Sequence, residues 1–428
     1  MLHNFKCLKE HRLFSDLLLQ HYRHEHNGLE VVISPNSESD VLALQIWYQV
    51  GSANEDPEAT GLAHFFEHMM FRGTKKNGLG EFDRQMEELG TPWGTNAFTW
   101  KDYTAYVVDI PSAGLEKALE LEADRMVNLD LTESNIHEER GAVLDEKHRS
   151  LNDYSSQRFD ALFEKAFEGG SSAWPVLGYE EHIRDYHPEL LQNYYKKHYA
   201  PNNALIVLCG NVIADEVLPL IEKYFGEIPA SNIKRTQVQR RLVPGKHRLK
   251  QPISLPRLAL NYALDAEIEN PWLWDLVGLI LSGNEASLFE KELVIPGKVL
   301  SNSYWLCESA RVKDSDSFIH FSFTLMEGVL AEDVISLCHT LFANSEEWMT
   351  EEMLQAALIS ARCQFYSSFS KFDDRASLLG ETWIYEGKTL DSLQEQEQFY
   401  NKVTVEEVVV KIKSLTDCPS FVLETYPK

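Results

Sequence analysis

Cysteine, positive charge and long apolar runs are what this chain has little of. Only six cysteines occur, at positions 7, 209, 307, 338, 363 and 418, and no two of them form a CxxC pair. In a chain this long, that scatter points to reduced thiols and a cytoplasmic location, as does the lack of any Asn-x-Ser/Thr sequon. The longest apolar stretches, such as Ala204 to Cys209 and Leu276 to Leu281, are far too short to cross a bilayer. The opening residues Met1-Leu2-His3-Asn4-Phe5-Lys6 do not form a basic segment followed by an apolar one, so neither an export signal nor a membrane span is expected. Forty Lys and Arg face 66 Asp and Glu, a net charge of −26. Nucleic-acid binding needs clustered cations against phosphate, so that class of function is set aside.

What is present is the composition of a folded globular protein, 44% hydrophobic and 25% charged over 428 residues, which favours two domains over one core. The first 28 residues read as an exposed lead-in, including the histidine-rich His21-Tyr-Arg-His24-Glu-His26, up to a turn at Asn27-Gly28. Strands are expected over Leu29–Ser34 and Val41–Val50, a buried helix over Gly61–Phe71 and an amphipathic one near Gly80–Leu89. Two β-prone runs within Thr95–Ile110 flank Lys101-Asp102 as a hairpin. Helices follow at Leu115–Asn128 and, after an N-cap at Thr132, at Glu133–Phe167. Pro188–His198 and Ala214–Phe225 read as helices around a strand at Ala204–Cys209. Residues 231–250 are basic and lose the apolar period, as a linker would. The expected organisation is therefore a domain over 29–230, the linker over 231–250, and a second domain over 251–428. That second domain resembles the first: Leu258–Ala263 matches the strand at Leu42, and Trp272–Gly283 the helix ending at Gly73. In this register Trp274, Val277 and Gly278 fall opposite His64, Glu67 and His68, so the second domain carries no copy of the site and would shape the cleft.

The chemistry concentrates in His64-Phe65-Phe66-Glu67-His68. Helix residues four apart share a face, so both imidazoles can reach one ion, and Glu67 lies close enough to meet a water bound to it. The order inverts the familiar HExxH with the same geometry. Leu62, Ala63, Phe65, Phe66, Met69 and Met70 make the helix apolar almost all round, which places it in a core. Two histidines and a carboxylate there are costly without a compensating charge, and a divalent cation supplies one. Catalytic zinc takes three protein ligands and a water, so a third ligand is needed. Glu139 and Glu146, seven apart on the following long helix, are candidates, and spacing alone separates neither from the other nor from Asp145.

His64-Phe-Phe-Glu67-His68 followed by Glu139-Arg140-Gly-Ala-Val-Leu-Asp-Glu146 resembles the inverzincin zinc peptidases of the pitrilysin, insulin-degrading enzyme and mitochondrial processing peptidase family. Gly51-Ser52, Phe71-Arg72-Gly73-Thr74 and His198-Tyr199-Ala-Pro201-Asn202-Asn203 extend the resemblance through most of the chain. It implies an α+β fold of two homologous domains, each a mostly antiparallel sheet packed with helices, forming half of a clamshell. It also implies one Zn²⁺ per chain held by His64, His68 and Glu146, with Glu139 orienting a histidine and Glu67 as the base. Asn96, Ala97 and Phe98 resemble the family's edge strand, on which an extended peptide docks by main-chain hydrogen bonds.

One departure has consequences for activity. The resemblance calls for an arginine and a tyrosine seven apart in the second domain, and Leu293 and Leu300 stand there instead. Neither can donate to an oxyanion, a loss worth about 10²–10³ in rate. Tyr304 just downstream could stand in for the tyrosine only after a shift of register, and no arginine accompanies it. The expectation is a zinc metalloendopeptidase subunit cutting extended peptides or small unfolded proteins, paired with a homologous chain that brings the Arg/Tyr pair rather than with a copy of itself. The competing reading is a non-catalytic peptide-binding or assembly scaffold that retains the metal helix.

Overall fold

The most apolar strands carry no in–out alternation because both of their faces are covered, as in Ala204–Gly210, where every residue is buried. The computed structural model describes residues 4–14, 16–91, 94–233, 240–264, 271–307 and 317–428. These form two compact units, neither of them continuous in sequence: residues 1–151, 174–237 and 368–394 in the first, and 152–173, 238–367 and 395–428 in the second. The basic centre of the expected linker, 234–239, lies outside the described residues.

In the first unit, seven strands are β1 (Phe5–Leu13), β2 (Leu17–His24), β3 (Glu30–Pro35), β4 (Val41–Tyr48), β5 (Thr95–Thr99), β6 (Thr104–Pro111) and β7 (Ala204–Gly210). They run in the order β1-β2-β3-β7-β4-β6-β5, antiparallel except for the β3–β7 pair. Helix α1 (Leu62–Met69), α2 (Glu81–Glu88) and α3 (Leu115–Val127) belong to the core on one face, where Phe65, Phe66, Leu119 and Ile206 are all buried. The opposite face is closed by the helix Phe372–Tyr385, drawn from late in the chain. It comes so near that a Cβ on Gly380 would lie 2.1 Å from the Trp47 ring, so only glycine fits. Trp383 seals the same face by donating from Nε1 to the buried Glu30 carboxylate at 2.7 Å.

Two expectations are corrected here. The lead-in forms strands and is only partly exposed: β1, most of whose residues are exposed, and β2 add to the sheet, while His21 pairs with Glu30 at 2.8 Å and His24 lies between Asn27 and Glu222. Those histidines are buried polar residues with partners, and their crowding in sequence reflects a strand that alternates its faces. The helix expected over Glu133–Phe167 is two, α4 (Glu133–Asn152) and α5 (Tyr154–Ala166). Asp153 between them has an extended backbone and caps α5, accepting from the Ser156 N–H at 2.7 Å, an N-cap that ends one helix to start another.

In the second unit, β8 (Gly245–Gln251), β9 (Arg257–Leu264), β10 (Val299–Cys307), β11 (Ser317–Leu325) and β12 (Ser420–Pro427) form a sheet in the order β10-β11-β9-β12-β8. Only β8 and β12 are parallel. The helix Pro271–Ser282 packs on it, and Trp274, Val277 and Gly278, opposite the three site residues in the repeat, are all buried. Both units are thus α+β with mostly antiparallel sheets. Among the described residues no helix is long and apolar enough to cross a membrane, and none of the six cysteines is joined in a disulfide.

Candidate metal centre

Helix α1 is short, eight residues, and almost entirely buried, with only Glu67 and His68 half-buried. Its start is built from a glycine and a carboxylate. Gly61 sits at φ 93°, and a Cβ there would fall 2.8 Å from the Leu177 carbonyl oxygen. No side chain of the N-cap residue closes the first turn. Instead Glu55, 1% exposed, accepts from the Gly61 and Ala63 N–H groups at 2.7 Å each. Burial pushes the Glu55 carboxyl up to about 8, against the pull of those two N–H groups and of Lys101.

At the other end of α1, Phe66 packs its ring parallel to those of Tyr194 and Tyr195. With the helix fixed at both ends, His64 and His68 lie one turn apart with ring centroids 4.7 Å from each other. Helix α4 brings Glu146 to them: its carboxylate oxygens lie 3.6 Å from His64 Nε2 and 3.2 Å from His68 Nε2. One donor atom from each of the three falls within 4.8 Å of the others. Glu139, two turns earlier on α4, accepts from His68 Nδ1 at 2.7 Å, which leaves Nε2 facing Glu146. Arg72 closes the back of this arrangement, pairing with Glu138 and reaching to 3.6 Å from the Glu139 carboxylate.

The donor set fits a divalent metal on the chemistry of its members. His64 has no hydrogen bond of ordinary length to Glu146, and its buried Nδ1 has no partner among the described residues. A histidine held in a core with neither nitrogen well satisfied has no structural reason to be there. The rings of His64 and His68 hold the Glu146 carboxyl well below the usual carboxylate range. Burial opposes charge on His68, but hydrogen bonds to Glu139 and Glu146 outweigh it and raise its pKa to about 9. Two imidazole nitrogens and a carboxylate oxygen, converging from two helices, are the ligand types of catalytic zinc sites.

Glu67, between the two histidines in sequence, accepts from the Thr99 hydroxyl at 2.6 Å. A cavity of about 490 Å³ opens beside it, lined among others by Glu67, His68, Arg72, Asn96, Ala97 and Glu139. Strand β5 pairs with β6 on one side only and is the edge of its sheet. Of the three residues singled out there, Asn96 and Ala97 line the cavity together with Thr95, whereas Phe98 turns its ring onto Trp47 and Tyr103. The sequence assigns no role to Thr99 or Glu55. Thr99 ends the expected edge strand, but its bond to Glu67 depends on where α1 crosses that strand. Glu55 is one acid in a loop and carries no local signal.

The second unit engages the residues at the departure noted above. Leu293 is fully buried, and Leu300 is 57% exposed. The Tyr304 ring lies over the helix Pro271–Ser282 where Gly278 leaves room, a Cβ there being 2.0 Å from the ring, and its hydroxyl reaches Asp275 at 3.4 Å.

Comparison with known proteins bears on the family and the fold. Residues 30–179 match the family described as Insulinase (Peptidase family M16), and residues 186–292 the one described as Peptidase M16 inactive domain. The chain is 26% identical over 369 residues to the zinc protease PqqE of Helicobacter pylori, covering 83% of this chain and 81% of that protein. It is 32% identical over 201 residues to the mitochondrial-processing peptidase subunit beta of Mus musculus, 47% of this chain and 40% of that one. Among solved structures, a protease from Helicobacter pylori superimposes with a TM-score of 0.83 at 23% identity, over 94% of this chain and 98% of that chain, a likeness of fold. The two family matches lie in sequence order and together take in more than half of the chain, which belongs to the M16, insulinase-like, peptidase family.

Proposed function

We propose that the chain is a zinc-dependent metalloendopeptidase subunit that hydrolyses peptide bonds in extended peptides or small unfolded proteins. The observation that carries this reading is the convergence of His64, His68 and Glu146 donor atoms within 4.8 Å, next to Glu67 on the same helix. His64, His68 and Glu146 would hold the zinc, which when bound supplies a more acidic water and an electrophile for the scissile carbonyl. Glu139 fixes the His68 ring by accepting from Nδ1, so that Nε2 carries the lone pair. Glu67 takes the proton from the attacking water and returns it to the leaving amine, a role its position in the cavity supports. The Thr99 hydroxyl holds one carboxylate oxygen of Glu67 and leaves the other for the water. The open edge of β5 offers main-chain groups to an extended peptide, with Asn96 and Ala97 at the cavity and Phe98 anchoring the strand from behind.

In the same reading the oxyanion donors come from elsewhere. Leu293 and Leu300 cannot donate, and Tyr304 is packed over Gly278 with its hydroxyl toward Asp275. A homologous partner chain carrying the Arg/Tyr pair would complete the site as a heterodimer. Six cysteines scattered through the sequence without a CxxC pair favour a reducing, cytoplasmic setting. The experiment is a peptide-cleavage assay on the chain with one zinc per molecule, alone and mixed with a homologous subunit, with Glu67→Gln in parallel. Cleavage should fall by about 10²–10⁴-fold in the variant while its zinc content stays the same. A folded chain that takes up no zinc, or a Glu67→Gln variant as active as the parent, would leave the scaffold reading in its place.

A further inference from the structure

The sheet of the second unit carries a cavity of about 180 Å³ under α5, and its charge runs against the composition of the chain. Two guanidinium groups line it, from Arg158 on α5 and Arg257 on β9, and no Asp or Glu does. Among the described residues neither arginine has a carboxylate within ion-pair distance. Arg158 donates to Gln251 Oε1 and to the Ser155 hydroxyl, both at 2.9 Å, and Arg257 donates to the Thr324 hydroxyl at 3.0 Å. Burial and the nearby charge of Arg257 both press the Arg158 pKa down, with Asp153 acting against them. In a chain with 66 acidic residues, two guanidinium groups lining one hollow without an adjacent carboxylate among the described residues have the charge arrangement that suits an anion.

The remaining lining narrows the ligand. Hydroxyls of Ser155, Ser322 and Thr425 offer further donors. Phe159, Leu162 and Trp305 make an apolar wall beside them. His320 adds no charge: burial pulls its pKa to about 3, its Nδ1 meets Asn261 at 2.8 Å, and its ring stacks on Trp305. A free inorganic anion would satisfy the arginines and leave the apolar wall uncovered. A planar carboxylate matches the guanidinium fork, and an attached apolar side chain covers the wall. The volume admits one residue, not a folded partner.

We propose that this cavity binds the C-terminal end of a peptide, with Arg158 and Arg257 on its terminal carboxylate and the last, apolar side chain against Phe159, Leu162 and Trp305. No residue of the metal centre lines this cavity, and its ligand needs no metal. The test is calorimetric titration of the full chain carrying Glu67→Gln, so that nothing is cleaved. The probes are N-acetyl-Leu-Leu as the free acid, the same dipeptide as its C-terminal amide, and inorganic phosphate. The acid should bind at least tenfold more tightly than either the amide or phosphate, and R158Q/R257Q should abolish its binding. Arg257 is exposed, so R257Q alone should keep the parent's thermal midpoint and still weaken the acid several-fold, which separates lost binding from lost fold. Equal binding of acid and amide, or binding that survives in R158Q/R257Q, would overturn the proposal. Phosphate binding as tightly as the acid would overturn the peptide as its ligand.

Discussion

Glu139 and Glu146 lie two turns apart on α4 and do different work because one meets an imidazole Nδ1 and the other two Nε2 atoms. Glu139→Gln keeps the shape but loses the charge that fixes the His68 ring. Zinc affinity should fall about 10–100-fold, measured by competition with a chelator, with the fold intact. Glu146→Gln removes a donor and should lower affinity further. Glu55 acts on the backbone. Its carboxyl is raised from 4.5 to about 8 by burial, so the folded chain holds a proton that the unfolded chain gives up. The stability this proton provides is complete below pH 4.5 and is lost as pH rises toward 8. The unfolding free energy should therefore decline between those values, and the difference profile between the parent and Glu55→Gln should show the Glu55 share disappear. A flat difference profile across that window would mean that Glu55 is ionised in the fold.

Among the elements, the helix Pro271–Ser282 packs most closely where it carries a glycine. Gly278 admits the Tyr304 ring into the space that a side chain would fill. Gly278→Ala should destabilise the chain by about 1–3 kcal/mol through overpacking, despite alanine's better helix propensity. Trimming the ring in Gly278→Ala/Tyr304→Ala should recover part of that loss in a denaturant titration. Equal, additive losses in the double variant would mean the two side chains do not meet. The α4–α5 junction is a second case. The apolar period runs on past Asp153, and only its extended backbone and its bond to Ser156 show that the helix restarts. Asp153→Ala should lower the denaturation midpoint, read by the same titration.

For the whole molecule, the outstanding question is completeness of the oxyanion site. Mixing with a homologous chain that carries the Arg/Tyr pair should raise cleavage by about 10²–10³-fold over the isolated chain, the worth of a lost donor. Strong cleavage by the purified single chain would refute the need for a partner. At this scale the chain is also less linear than a sequence of domains suggests. Residues 152–173 belong with the second unit and 368–394 with the first. The helix Phe372–Tyr385 covers β4 and β7 with Gly380 against Trp47, some 330 positions away in sequence.

The amino-acid sequence by itself determined the local features: the metal-helix motif with its spacing of four, the strands rich in Val, Ile and Leu, and helix spans such as Pro188–His198 and Ala214–Phe225, which match the structure residue for residue. These follow from periodicity and capping, which act over a few residues. Tertiary structure decided which distant groups meet. It brought the Glu146 carboxylate to both Nε2 atoms, set Thr99 on Glu67 and Glu55 under the first turn of α1, and buried His21 and His24 in a sheet. Those contacts join residues up to 82 positions apart, a range over which spacing carries no geometric information until the chain has folded.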